Sequence, residues 1–156
     1  MRNKYNSKKA LLERSSRVIN SIINGLEDLS EERRRKVMEK SGEECAIAGS
    51  YKIARKISQE TNNIEEIIEK INNQIPWCGK WKLEDNIIRS ICNECGCPLI
   101  RNKIINLCST FCYCSLGWIK IIFKTLLNKP IQVEMLKSIG AGDDICEYII
   151  FLEKNK

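Results

Sequence analysis

Cysteine content is the feature of this sequence that most restricts its fold, because nine cysteines occur in 156 residues and histidine is absent. In a secreted protein this density predicts a disulfide framework, whereas in a reducing compartment it indicates metal binding or redox chemistry. Basic residues begin the chain, but only Ala10, Leu11 and Leu12 precede Glu13 and Arg14, which is too short for a signal-peptide apolar region. We therefore expect a cytoplasmic protein with reduced cysteines.

The length and composition predict one folded domain. At about 100–200 residues per domain, the chain fits one compact unit with an N-terminal extension. Hydrophobic residues make up 43% and charged residues 29% of the chain, which excludes a long disordered or fibrous protein. The apolar stretch 118–123 is interrupted by Lys120, and a bilayer span needs about 20 apolar residues. We therefore expect no membrane span.

The net charge of +6 is concentrated near the N-terminus. Residues 1–40 carry eleven Lys and Arg against six Asp and Glu, whereas residues 41–156 carry fifteen against fourteen. The basic run of residues 33–36 follows Glu31 and Glu32, a pattern typical of a solvated helix face, and no nucleic-acid recognition motif accompanies it. Nucleic-acid binding is therefore the weaker interpretation of the charge.

The first third of the chain is predicted to be helical. Apolar residues between Leu11 and Leu26 recur at intervals of three and four, the spacing of one helix face. Ser30 is placed to cap a second helix and Gly42 to end it, and a third helix is expected over residues 43–58.

The rest of the chain mixes helices and strands. One asparagine of the pair at 62–63 is predicted to cap an amphipathic helix over residues 64–71. Two short strands are expected at residues 77–83 and 87–91, followed by a turn rich in Gly and Pro at 92–98. A long apolar helix is expected at 112–127, and two final strands at 131–139 and 145–152.

This order of elements predicts a domain that combines helices with strands and is preceded by an N-terminal helical segment. Residues 1–40 are expected to form that helical extension. Residues 41–156 are expected to form the α+β domain, with a cysteine-rich centre.

Six cysteines are the predicted metal ligands, three in the turn after a strand and three around or beyond the long helix: Cys92, Cys95, Cys97, Cys112, Cys114 and Cys146. The spacing of Cys92 and Cys95 lets a tight turn direct two thiolates at one metal while backbone N–H groups point at the sulfurs. Without histidine, the site must be all-thiolate or thiolate plus carboxylate. Such a site suits zinc or an iron–sulfur (Fe–S) cluster, and zinc is favoured because the spacing matches no ferredoxin pattern.

Cysteine also packs in protein cores as a small apolar residue, and this is the interpretation we favour for Cys45 and Cys78. The clustered thiols at turn positions are different, because without a metal or a redox role they would be a site of oxidation.

The C-terminal third resembles a known family. Its motif begins with Cys112, Gly117 and Trp118 and continues through an apolar helix. A Lys-Pro-Ile-Gln-Val-Glu segment at 129–134 follows, and a Gly-Asp-x-x-Cys at 142–146 completes the motif. This combination is similar to the 4-vinyl reductase domain. That family includes a protein associated with the vinyl reductase of bacteriochlorophyll synthesis and the sensing domains of aromatic-responsive transcription activators. The resemblance implies an α+β fold, shared with transport-particle subunits of vesicle tethering: a twisted antiparallel sheet with helices packed on one side and an apolar pocket between them. Because related domains often pair through helices, residues 1–40 are expected to bind a partner or to form a homodimer.

The resemblance also implies a zinc site. In the phenol-sensing members the ligands are a Cys before the long helix, a Glu and a Cys on the penultimate strand, and a Cys after the Gly-Asp hairpin. The first corresponds to Cys112 and the last to Cys146, whereas the middle two fall near Met135 and Ser138, which cannot bind zinc in the same way. The cysteine turn at 92–97, absent from the phenol sensors, is expected to supply the missing thiolates to a site that includes Cys146 and either Cys112 or Cys114.

Two main classes of function follow. The favoured one is a sensor or binding module with a pocket for a small apolar molecule and a structural metal in one wall. The other is a hydrolase, because the Gly-Asp-x-x-Cys ending is also similar to that of L-2-amino-thiazoline-4-carboxylate hydrolase-like proteins, in which zinc could activate water. Glu94 and Glu134 are the only nearby candidates for a general base, and Asp143 is interpreted as a turn residue. A thiol or Fe–S redox protein is the third possibility.

Overall fold

The computed structural model describes residues 2–76 and 79–152, with no description of the side chains of residues 2–6. Trp77 and Cys78, and the predictions made for them, lie outside the described residues. The elements of the described chain are α1 (Arg2–Gly25), α2 (Glu31–Ala48), α3 (Tyr51–Glu60), α4 (Ile64–Gln74), β1 (Lys80–Glu84), β2 (Ile87–Cys92), α5 (Pro98–Arg101), α6 (Ser109–Cys112), α7 (Cys114–Leu127), β3 (Gln132–Lys137) and β4 (Cys146–Phe151). The predicted α+β class is confirmed.

The four strands form one antiparallel sheet in the order β1-β2-β4-β3. The last strand of the chain therefore lies in the middle of the sheet, between β2 and β3. Its register with β2 pairs Ile88 with Ile150 and, at the end of the ladder, Cys92 with Cys146. Directly paired residues on neighbouring strands project their side chains from the same face, so these two cysteines lie side by side.

Helices α4 and α7 pack against the sheet, and α2 and α3 pack against α7. The core between these layers is built from large apolar side chains such as Ile71, Phe123 and Ile150, which are completely buried. Trp81 on β1 packs against Phe123 with ring centroids 4.5 Å apart. Burial of each such side chain contributes about 1.5–3 kcal/mol, so the contact between helices and sheet is the main source of stability.

The packing of α2 along α7 requires two glycines. A Cβ atom on Gly42 would lie 1.8 Å from the carbonyl oxygen of Cys114, and one on Gly117 would lie 1.8 Å from the carbonyl oxygen of Glu39. The prediction that Gly42 ends a helix is therefore wrong, because α2 continues to Ala48. The absence of a side chain serves close helix contact here rather than helix termination.

The third helix, predicted over residues 43–58, is wrong as a single element: α2 runs to Ala48, and α3 spans Tyr51–Glu60 after a turn at Gly49 and Ser50. The predicted elements from residue 64 onward agree with the structure to within a few residues. Helix α4 begins after Asn63, whose Oδ1 accepts a hydrogen bond of 2.9 Å from the backbone N–H of Glu66. The four strands and the long apolar helix lie within or next to their predicted ranges. The division of the chain at residue 40 stays a prediction.

Helix α1 is attached to the loop that follows α5. Ser16 Oγ and Asn20 Nδ2 donate hydrogen bonds of 2.7 and 3.0 Å to the carbonyl oxygen of Ile104, and the backbone N–H of Asn106 donates one of 2.8 Å to Asn20 Oδ1. The helix leaves four apolar side chains exposed, those of Leu11, Leu12, Val18 and Ile22. Dimerisation through this helix stays a prediction.

One helical stretch of the described chain, Ser109–Leu127, has the length and apolar composition that a membrane span requires. Half of it is buried inside the domain, and it packs against α2, α3 and β3. A core helix passes the same test of length and composition, and its packing assigns this stretch to the core.

Candidate functional site

The two predicted cysteine groups meet at one cavity of about 120 Å³, between the 92–98 turn, α2, the start of α7 and the sheet. Its thiol lining comprises Cys45, Cys92, Cys95, Cys97, Cys114 and Cys146. Its apolar lining comprises Trp81, Trp118, Ile119 and Tyr148. The fold thus brings together thiols from a helix, a turn, two strands and the start of a second helix.

Cys146 lies near three other cysteines. It is the cross-strand partner of Cys92, and it interacts electrostatically with Cys92, Cys95 and Cys112. Cys112, which ends α6, is buried behind the cavity, and a Cβ atom on Gly140 would lie 2.5 Å from its sulfur. These four cysteines, 92, 95, 112 and 146, are called the quartet below.

Hydrogen-bond donors face the sulfurs of the quartet. The backbone N–H of Ile139 donates to Cys146 Sγ over 3.4 Å, and Ser90 Oγ lies 3.9 Å from Cys92 Sγ. Burial raises the pKa of Cys95, and a hydrogen bond from the backbone of Cys97 opposes that effect. Donors aimed at sulfur stabilise thiolates, which is the form that a metal binds.

Burial and hydrogen-bond donors also have opposite effects on the pKa of Cys112. Burial raises its pKa, while Ser138 and the backbone of Gly140 act in the opposite direction. The Ser138 hydroxyl is buried and makes no hydrogen bond of normal geometry in the described chain, although it lies near enough to the Cys112 thiol to affect its pKa. A buried polar atom of this kind costs free energy unless something pairs with it.

The other thiols that line the cavity are Cys45, Cys97 and Cys114. Burial raises the pKa of Cys45, and the neighbouring Cys97 raises it further. Burial likewise raises the pKa of Cys114, and the neighbouring Cys97 and Cys45 raise it further. Cys45 is the exposed member, so it lies at the mouth of the cavity.

Five of the six predicted metal ligands line the cavity, and the sixth, Cys112, lies next to it. Within residues 2–76 and 79–152, no three His, Cys, Asp or Glu side chains are close enough together to hold a metal ion. Metal ligation by the six cysteines therefore stays a prediction. Cys108 packs instead against a separate apolar cluster that contains Ile23, Met38, Ile105 and Phe111.

The sequence analysis missed Cys45 as a cavity residue. It lies one helical turn after Gly42, which contacts the backbone of Cys114, so both residues face α7. A reading of Gly42 as a helix contact, instead of a helix end, would have placed Cys45 beside the cysteines of the long helix.

The acidic residues singled out from the sequence have ordinary partners. Glu94 lies at the cavity edge, largely exposed, with its Oε1 4.0 Å from Arg101. Glu134, on β3, accepts a hydrogen bond of 3.1 Å from Gln132. Asp143 Oδ2 accepts one of 2.8 Å from the backbone N–H of Ser138, which is the contact of a turn residue.

Known proteins resemble this chain in fold, and one sequence family includes it. The fold is similar to the crystal structure of the phenol-responsive sensory domain of the transcription activator PoxR with phenol, with a TM-score of 0.56 and 11% identity over 87% of this chain and 73% of that one. The resemblance inferred from the C-terminal motif is thus confirmed for the fold. No curated protein matches the sequence significantly. A family model matches residues 4–156, and the chain belongs to that family, a family of unknown function (DUF6144).

Proposed function

We propose that this protein is a sensor-type domain that binds a small molecule in its thiol-lined cavity and holds a zinc ion in the quartet. The observation that carries the proposal is that Cys92, Cys95 and Cys146 line one cavity, with Cys92 and Cys146 paired across two strands and the buried Cys112 next to them. Backbone N–H groups and hydroxyls are directed at these sulfurs, as a thiolate site requires.

The donor set fits zinc. Four thiolates bind this ion tetrahedrally, with Zn–S distances of about 2.3 Å, so the quartet must close in around it. Such a complex carries a net negative charge, which the N–H groups and the nearby Arg101 offset; Arg101 acts to lower the pKa of Cys95 against the larger effect of burial. Zinc would join the 92–97 turn to the sheet and to the α6–α7 junction, and so would stabilise one wall of the cavity.

The cavity limits the size of the ligand. Its volume is about 120 Å³, and an apolar cavity of about 150 Å³ is enough to hold benzene. Trp81, Trp118 and Ile119 offer apolar contact, and Tyr148 offers a polar group. We therefore propose a ligand no larger than a single small ring. The similarity of the fold to a phenol-responsive sensory domain supports this class.

The proposal requires a reducing compartment, since disulfide bonds between the thiols would remove the metal ligands. A sensor is favoured over a hydrolase because Glu94, the one carboxylate among the described lining residues, lies at the cavity's exposed edge.

Metal analysis of protein purified without oxygen tests the quartet. We expect one zinc per chain in the wild type and a colourless sample. Cys92→Ser and Cys95→Ser should each lose most of the zinc, and their free energy of unfolding should fall with it. Cys108→Ser is the matched control, because Cys108 packs outside the cavity. Its zinc content should equal that of the wild type.

Two results would contradict the zinc site: a folded wild type without zinc, or a Cys92→Ser protein that retains the full amount. A brown sample that contains iron and labile sulfide would show that the cysteines bind an Fe–S cluster and not zinc. Tryptophan fluorescence during titration with phenol tests the cavity, since Trp81 and Trp118 line it. No change up to millimolar phenol would exclude single-ring phenols as the ligand class.

A further inference from the structure

Helix α1 has an apolar face that the rest of the described chain leaves open. The domain holds the helix on one side, through Ser16 and Asn20. Elsewhere on the helix, Leu11, Val18 and Ile22 are 63%, 53% and 60% exposed. Their spacing of seven and four residues places these three side chains in one row, about 17 Å long at 1.5 Å per residue. This row of Leu11, Val18 and Ile22 is called the apolar strip below.

The charges around the apolar strip are almost all positive. Residues 2–25 contain six Lys and Arg and one acidic residue, Glu13. Glu13 forms an ion pair with Lys9, with 4.0 Å between Lys9 Nζ and Glu13 Oε1. Lys8 and Arg14 are exposed, and each lies three residues from Leu11, so both stand beside the strip. The face therefore combines apolar side chains with an unbalanced positive charge.

The N-terminal half of α1 is the most open part of the helix. Residues 7–14 are exposed on every side, and Leu12, which is 47% exposed, adds an apolar side chain next to Leu11. The domain therefore does not shield this half of the helix from a flat surface. Since isolated helices this short are marginal in water, contact along one face would also stabilise it.

The charge of the helix restricts what can cover the apolar strip. Six basic residues less one acidic residue leave α1 with a surplus of five positive charges, so two copies of it would repel each other along this face. A homodimer formed through residues 1–40 would therefore use another surface. Nucleic acid would satisfy the positive charge but not the strip, because aliphatic side chains cannot stack on bases as aromatic rings do. The partner must supply both negative charge and an apolar medium.

We propose that the apolar strip of α1 docks on the surface of a lipid bilayer that contains anionic lipids. Acidic headgroups attract Lys8 and Arg14, while the strip enters the boundary between the headgroups and the acyl chains. The helix lies in the plane of this boundary and does not span the bilayer. The inference is independent of the proposed zinc site and cavity, because none of the described residues that line the cavity belongs to α1.

Co-sedimentation of the full chain with sucrose-loaded vesicles tests the docking. One set of vesicles is phosphatidylcholine alone, and the other contains about 30% phosphatidylserine, an anionic lipid. At about 0.1 M salt we expect binding to the anionic vesicles to be at least about tenfold stronger. At about 1 M salt the Debye length falls to about 3 Å, so this difference should disappear.

Two double variants separate the apolar from the electrostatic contribution. Leu11→Gln with Ile22→Gln keeps good helix formers at exposed positions, and it should weaken binding to the anionic vesicles at least about tenfold. Lys8→Gln with Arg14→Gln should weaken that binding as well, but leave binding to neutral vesicles unchanged. Val37→Gln is the matched control, since Val37 is an apolar residue of α2 that is 44% exposed. It should bind like the wild type.

Three results would overturn the docking: no co-sedimentation with the anionic vesicles, equal binding to both sets of vesicles, or unchanged binding by the variant Leu11→Gln with Ile22→Gln. A dimer in sedimentation velocity that this variant abolishes would also overturn it, because it would assign the strip to a second copy of the chain. Urea denaturation should show that the variants fold, since all their changes are at exposed positions. Failure of the proposed function is distinguishable, because it appears as missing zinc or no response to phenol without any vesicles present.

Discussion

Helices α7 and α1 are both long and carry apolar side chains at helical spacing, yet the domain uses them differently. Helix α7 is embedded between α2, α3 and the sheet, with Ile122 and Phe123 completely buried. Helix α1 buries Ile23 and donates hydrogen bonds through Ser16 and Asn20, but it leaves Val18 53% exposed. The comparison teaches that apolar side chains at helical spacing do not by themselves decide how deeply a helix is buried. What distinguishes α7 is a partner helix with glycines at the contact.

The largest expected effect concerns the glycines that bring α2 and α7 together. Gly42→Ala and Gly117→Ala each place a Cβ atom 1.8 Å from a backbone carbonyl oxygen, so the helices must move apart. We expect each to lower the free energy of unfolding by about 3 kcal/mol or more, measured by urea denaturation.

Gly25→Ala is the matched control on α1. Nothing lies within 4 Å of its added Cβ atom, and its φ of −64° is helical. It should be neutral or stabilise the protein by about 0.4–1 kcal/mol. Equal losses for Gly25→Ala and Gly117→Ala would show that the contact between α2 and α7 is not special.

An intermediate effect is expected at the polar attachment of α1. Asn20→Ala removes the bonds to the carbonyl of Ile104 and the N–H of Asn106, leaving backbone groups without those partners. We expect a loss of about 1–3 kcal/mol in the free energy of unfolding. Ser21→Ala, at an exposed position of the same helix, should change it by less than about 0.5 kcal/mol. If the two variants are equally stable, α1 is held by other contacts.

The smallest effect concerns Glu39 on α2, which forms an ion pair with Lys120 on α7 and another with Arg35 on its own helix. Burial alone would raise the pKa of Glu39, but Lys120 and Arg35 outweigh it and hold the pKa below its usual value. A lowered pKa in the folded state stabilises the protein above the unfolded pKa of about 4.3, and this contribution is lost as the pH falls through the folded pKa.

Stability measured between pH 6 and pH 3 should therefore fall less steeply in Glu39→Gln than in the wild type. The difference should be small, since solvent and salt screen a pair that is partly exposed. Identical pH profiles would show that these ion pairs do not contribute to the contact between α2 and α7.

The sequence predicted the local elements well where the signals were local. The Asn63 cap, the apolar spacing of the long helix and the turn after β2 each depend on residues close together in the chain. Gly42 was misassigned because a glycine in a helical pattern has the same local appearance whether it ends the helix or contacts another one. Its partner, Cys114, lies far away in the sequence.

The candidate site also has features that the local sequence predicted and features that only long-range packing determined. The spacing of Cys92 and Cys95 and the Gly-Asp-x-x-Cys ending were visible in the chain, because a tight turn requires particular residues at short range. The register that pairs Cys92 with Cys146, and the helix contact that carries Cys45 to the same cavity, arise from long-range packing. Cysteine content and local spacing thus restricted the kinds of chemistry to consider for this chain. The packing of α2, α7 and the sheet determined which thiols share one space, because such contacts depend on residues that no short segment contains.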